Sequence, residues 1–136
     1  IATGMATLGT KVSMFFTFWG LNVLRKPNPP SVAKDILSKM FGFMMPRGAR
    51  KLALSKMHMM GMGTGMMKHV MNKKNVASLP ELIQSSRELG VKFIACDMAM
   101  DVMGIQRPEL LDHVDEIAGV ASFAALAKDS GTTLFI

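Results

Sequence analysis

Hydrophobic positions along the chain follow two periods. Lys11 to Phe18 is rich in Val, Phe and Thr, the pattern of a strand buried on both faces of a parallel sheet. Trp19-Gly20-Leu21-Asn22 follows at its C-terminal end, where α/β proteins place their sites. Val91 to Ala95 reads as a second buried strand, Glu116 to Val120 as a third and Thr132 to Ile136 as a last one. The segments between them are helical. Residues 1–8 look like the end of a helix, with Gly9 as its C-cap. Ser31 is the expected N-cap of a helix through Met40 that places Val32, Ile36, Leu37 and Met40 on one side, and Gly42 and Pro46 end it. Residues 48–60 show no clear period. Gly61 to Gly65 reads as a flexible joint, and Met66 to Lys74 as a short helix with a basic face. Ser78-Leu79-Pro80-Glu81 is a capping box, so a helix runs from there to about Leu89, with Gly90 beyond it. Further helices follow Cys96 (ended by Gly104), start at Pro108 and span Ser122 to Lys128.

Strands alternating with helices give an α/β fold. The expected architecture is a three-layer α/β/α sandwich around a parallel sheet of four to five strands, with right-handed crossovers. The 136 residues fit one domain, 1–136, with a basic Met-rich insert at about 40–75. The chain opens inside a helix, so the reading expects a first strand and its loop ahead of residue 1.

Composition sharpens this picture. With 49% hydrophobic residues a core can form without disulfides. The single cysteine excludes an internal disulfide and points to a reducing, cytoplasmic setting. Val12 to Leu24 is too short and too interrupted to span a bilayer, which takes about 20 apolar residues. The net charge of +6 is uneven: Arg25 to Lys74 holds eleven Lys/Arg against Asp35 alone, +10, which leaves −4 elsewhere. Ten of the fifteen methionines share that basic segment. Such an insert suggests an interaction surface.

Cys96 is the residue with the clearest chemistry. It ends the second strand or starts the loop after it, just before a helix whose N–H groups and dipole favour a thiolate. A thiolate can take a sulfane sulfur and hold it as a persulfide. A lone thiol cannot do CxxC disulfide exchange, so its second thiol must sit on a donor or acceptor. Set against this, a lone Cys in an apolar stretch is often a small buried hydrophobe, and Asp97 beside it would oppose ionisation unless it points away.

The other constellations point elsewhere. In Lys56-Met-His-Met-Met-Gly-Met-Gly-Thr-Gly-Met-Met-Lys-His69 the methionines first suggest filling for an irregular core or subunit interface. An amphipathic surface for an acidic partner or anionic membrane comes second. Soft-metal binding by Met57, His58 and Met59 comes last, because adjacent residues rarely converge on one ion, and no metal or other cofactor is expected. Gly61-x-Gly63-x-Gly65 lacks phosphate-loop spacing and follows no strand. His58, His69 and His113 are scattered and read as surface residues. Asp97 and Asp101, four apart, read as a solvated helix face. Few aromatics interleave the basic segment, which argues against nucleic acid as a partner.

The run Phe93-Ile-Ala-Cys96-Asp-Met-Ala-Met100-Asp-Val-Met-Gly104-Ile resembles the Cys-bearing segment of DsrE-like (DsrE/DsrF/DsrH-type) sulfur-relay proteins, in the Met-rich branch labelled peroxiredoxin-like. Ser13-Met-Phe-Phe-Thr-Phe-Trp-Gly-Leu-Asn22, Met45-Pro-Arg47, Met59-Met-Gly-Met-Gly-Thr64 and Leu134-Phe-Ile136 extend the likeness over nearly the whole chain. The resemblance implies a parallel sheet between helices, self-association as a homo-oligomer or pairing with related subunits, and sulfur transfer through cysteine. Only Cys96 maps onto a functional position of the family. The Thr and Arg that peroxidase chemistry sets around its cysteine are not identifiable.

The expected function is therefore a sulfur carrier or sulfurtransferase subunit that loads Cys96 from a donor protein and passes the sulfur to an acceptor thiol. Trp19, Gly20 and Asn22, with Asp97, Met98 and Met100, are expected to line the approach. The alternative is a non-catalytic subunit that docks on a partner protein, or peripherally on an anionic membrane, through its basic Met-rich segment.

Overall fold

The computed structural model describes residues 1–52 and 62–136. Its elements run α1 (Ala2–Thr7), β1 (Ser13–Phe16), a 3-10 segment (Phe18–Leu24), α2 (Ile36–Met44), a 3-10 turn (Ala49–Lys51), α3 (Met62–Lys73), α4 (Leu79–Glu88), β2 (Lys92–Cys96), α5 (Asp97–Met103), a 3-10 turn (Arg107–Glu109), β3 (Glu116–Ala118) and α6 (Val120–Asp129).

The sheet is parallel throughout, in the order β1-β2-β3. Phe16 pairs with Ala95, and Cys96 with Ala118. The central strand β2 is buried from Phe93 to Cys96, which is why it reads as a continuous apolar run. Alternation sends Phe15 to one face, against Phe123 of α6 with ring centroids 5.3 Å apart. Phe16 goes to the other, against Phe93 at 5.5 Å. The α/β sandwich architecture is as the sequence predicts.

The sheet has three strands among the described residues, not four to five. Thr132–Ile136 adds no strand: Leu134, Phe135 and Ile136 are exposed. Ser130 and Thr133 instead turn their hydroxyls to one another and to the Ala127 carbonyl at the end of α6. Local side-chain bonds of this kind compete with a ladder, and β-branched composition does not make a strand without a partner.

The helix expected from Ser31 starts at Ile36. Its cap is Asp35, whose carboxylate accepts the Ser38 N–H at 2.9 Å. It continues through Gly42 to Met44, and Arg47 folds back to donate Nε and Nη2 to the Gly42 carbonyl at 3.2 and 3.0 Å. The joint expected through Gly65 is helical from Met62 onward, while Gly61 lies outside the described residues. So do most of 48–60, including Met57, His58 and Met59. The capping box forms: the Ser78 N–H donates to Glu81 Oε2 at 2.6 Å, with Pro80 in the first turn.

Gly104 ends α5 in the left-handed region, φ +61°. A Cβ there would overlap Ser38 Cβ and Oγ, so glycine lets α2 approach the end of α5.

His113 lies half-buried against Phe93, centroids 5.8 Å apart, with Nε2 buried and unpartnered. Burial is the main cause that holds its pKa below the ordinary 6.5, and the charge of Arg87 adds to it. The unfolded chain therefore binds more protons than the folded one below about pH 6.5. The His113 contribution is complete above that pH and is lost as pH falls from there through the lower folded-state value. A His113→Leu variant is expected to lose less stability than the wild type between pH 7.5 and 5.5 in urea melts.

Candidate functional site

The site is built where β2 ends. Cys96 is both the last residue of β2 and the N-cap of α5, with extended backbone angles of φ −76° and ψ 116°. No side chain caps α5, so the N–H groups of its first turn have no side-chain acceptor. Cys96 is a free cysteine, buried at 6% exposure at the C-terminal end of its strand.

The neighbouring strand supplies one wall. Phe16 is in register with Ala95, so the 3-10 segment that follows β1 meets the end of β2 and packs on α5 as well. Phe18 enters that segment at φ +42°, a strained conformation for a bulky side chain. Phe18 and Trp19 are exposed there, Trp19 at 67%. On α5, Asp97 and Met98 are exposed, and Met98 stands 63% open. Phe18, Trp19 and Met98 are thus exposed apolar side chains on the two elements that pack at the end of β2.

Of the other residues singled out from the sequence, Met100 and Asn22 point inward. Met100 is a core residue at 4% exposure. Asn22 is buried, its Oδ1 accepting from Arg25 Nη1 at 3.4 Å and its carbonyl from the Gly48 N–H at 3.0 Å. Gly20 is half-buried, with its N–H on the Thr17 carbonyl at 2.9 Å. Asp97 and Asp101 are both exposed, as a solvated face requires. His69 is exposed, while His113 is not the free surface residue expected.

A second polar centre went unnoticed in the sequence. Residues 24–26 pair with 109–111: the Lys26 N–H donates to the Glu109 carbonyl at 2.8 Å, and the Leu111 N–H to the Leu24 carbonyl at 2.8 Å. This brings Arg25, fully buried, beside Glu109, 2% exposed, with Nη2 3.6 Å from Oε1. Lys34 Nζ pairs with Glu109 Oε2, which also accepts the Gln106 N–H at 2.9 Å. Burial lowers the Arg25 pKa; Glu109 opposes this and Arg47 adds to it. The available signal was Arg25 at the end of the apolar stretch from Phe15 to Leu24.

Among the described residues, no three His, Cys, Asp or Glu side chains gather as a metal site, and no helix is long and apolar enough to cross a membrane. The whole chain is 52% identical over 136 residues to a protein of Bacillus subtilis (strain 168) called uncharacterized protein YrkE, of which it covers 84%. It is 40% identical over 140 residues to the sulfur carrier protein DsrE2 of Allochromatium vinosum, covering 86% of that protein. The model of the DsrE/DsrF/DrsH-like family matches residues 1–135. With that match spanning almost every residue, and a parallel α/β sheet beneath it, the chain belongs to the DsrE/DsrF/DrsH-like family.

Proposed function

We propose that this protein is a sulfur carrier that holds sulfane sulfur as a persulfide on Cys96. One observation carries the reading: the residue with its single thiol stands at the N-cap position of a helix, at the C-terminal end of the central strand. The likeness to a protein named a sulfur carrier supports it. A thiolate there attacks the outer sulfur of a donor persulfide. The electron pair of Cys96 Sγ forms the new S–S bond, and the donor's S–S bond breaks with its pair leaving on the donor thiolate. Delivery repeats the step, with an acceptor thiolate attacking the terminal sulfur and Cys96 as the leaving group. Both partners supply their own thiols because this chain has no second one. The exposed Phe18, Trp19 and Met98 form the surface on which such a partner seats.

A docking role is the second reading. It rests on exposed apolar side chains of α2 and α3 (Ile36, Phe43, Met66 and Met67) beside Lys39 and Lys68. Intact mass after incubation with polysulfide or a persulfidated donor separates the two. A gain of about 32 Da that reductant removes is expected of the carrier. No gain with any donor, together with a thiol that resists alkylation in the folded protein, would leave the docking role.

A further inference from the structure

We propose that the cavity between α2 and the Arg107–Glu109 turn binds a small, multiply charged oxyanion of the sulfate, thiosulfate or phosphate type. This site stands apart from Cys96. α5 begins at the thiol, and its far end, Gly104, meets Ser38 on the cavity wall. The helix between has seven residues, about 10 Å at 1.5 Å per residue.

The cavity measures about 310 Å³, and its walls include Ser31, Lys34, Ser38, Lys39, Arg47 and Glu109. Arg25 backs it. Arg25 is wholly buried, yet its Nε and Nη2 have no hydrogen-bond partner. The Glu109 oxygen nearest to Nη2 is 3.6 Å away, beyond hydrogen-bond reach. Its other oxygen is already occupied by Lys34 and by the Gln106 N–H. Glu109 therefore leaves Arg25 with unmet donors.

Gly42 shows how the two guanidinium groups are arranged. A Cβ on it would lie 3.6 Å from Arg47 Nη2 and 3.8 Å from Arg25 Nη2, so both face one point on the cavity wall. Among the described residues, Lys34, Lys39 and Arg47 line the cavity with Glu109 as its one carboxylate, and Arg25 lies behind Gly42. This excess of cations, with one guanidinium fully desolvated, suits an anion carrying more than one charge. Guanidinium forks and the hydroxyls of Ser31 and Ser38 match the several acceptor oxygens of a tetrahedral oxyanion.

Isothermal titration with sodium sulfate, thiosulfate or phosphate, each against sodium chloride of equal ionic strength, tests the site. Saturable binding of at least one oxyanion is expected, with roughly tenfold or greater weakening in Arg47→Met and in Lys34→Met. Arg47 is only partly buried and bonds one helix carbonyl, so Arg47→Met should keep its circular dichroism spectrum; if Lys34→Met does not fold, Arg47→Met decides alone. Cys96→Ser should bind as the wild type does, which keeps this result separate from the sulfur-carrier reading. Absence of saturable binding by all three anions, or wild-type affinity in a folded Arg47→Met protein, overturns the proposal.

Discussion

Cys96→Ser is expected to lose all sulfur loading while it folds as well as the wild type. The loss should be complete, because the chain has no other thiol to inherit the load. Serine has nearly the same shape, but its hydroxyl does not ionise near neutral pH, so no nucleophile replaces the thiolate. Stability should hold or rise, since Cys96 is the N-cap of α5 and serine is among the preferred N-caps, worth about 0.5–2 kcal/mol over residues that cannot cap. Intact mass and a urea melt, run on the same two preparations, check both halves. A reductant-labile mass gain in the serine variant would place the sulfur somewhere other than Cys96. A collapsed melt would mean that the thiol's packing against the core matters more than its chemistry.

Much of this site was legible in the sequence because its determinants are local. Phe93 to Cys96 is a run without polar interruption, and a strand buried on both faces has no other signature. Gly104 marks the end of α5 eight residues after Cys96, and Ser78 with Glu81 marks the start of α4; each is a short-range steric or hydrogen-bond requirement. The cap of α2 was harder. Ser31 and Asp35 are both good caps, and only the placed chain shows that Asp35 bonds the Ser38 N–H. Thr132–Ile136 has strand composition, but a strand requires a neighbour, and the Thr133 hydroxyl turns instead to Ser130 and the Ala127 carbonyl of α6. From sequence, Asn22 is expected near the thiol because it follows the end of a neighbouring strand, and Met100 because it lies four residues beyond Cys96. Side-chain direction decides otherwise, since Asn22 turns to Arg25 and Met100 to the core. The Arg25–Glu109 pair was the least legible, because no local pattern couples residues so far apart in sequence. Arg25 reads as one more charge in a basic segment until the strand-like pairing of 24–26 with 109–111 buries it.

That pair carries the largest expected effect on stability. Glu109→Leu is expected to cost about 3–5 kcal/mol, the range for removing one partner of a buried ion pair. The carboxylate is the counter-charge for both Arg25 and Lys34, and it also accepts the Gln106 N–H at 2.9 Å. Its loss leaves a desolvated guanidinium, with Arg47 close enough to repel it. Against a total stability of about 5–15 kcal/mol for a domain, this would bring the fold near its limit. Arg25→Met alone should cost less, because Lys34 still pairs with Glu109. Arg25→Met combined with Glu109→Leu should be milder than the sum of the two, since apolar side chains then replace both charges. Urea denaturation of the four proteins in a low-salt, oxyanion-free buffer gives the cycle. A Glu109→Leu loss below about 1 kcal/mol, with no coupling to Arg25→Met, is the size expected of a surface pair. It would show that water reaches this cluster in solution and that its charges do not depend on one another.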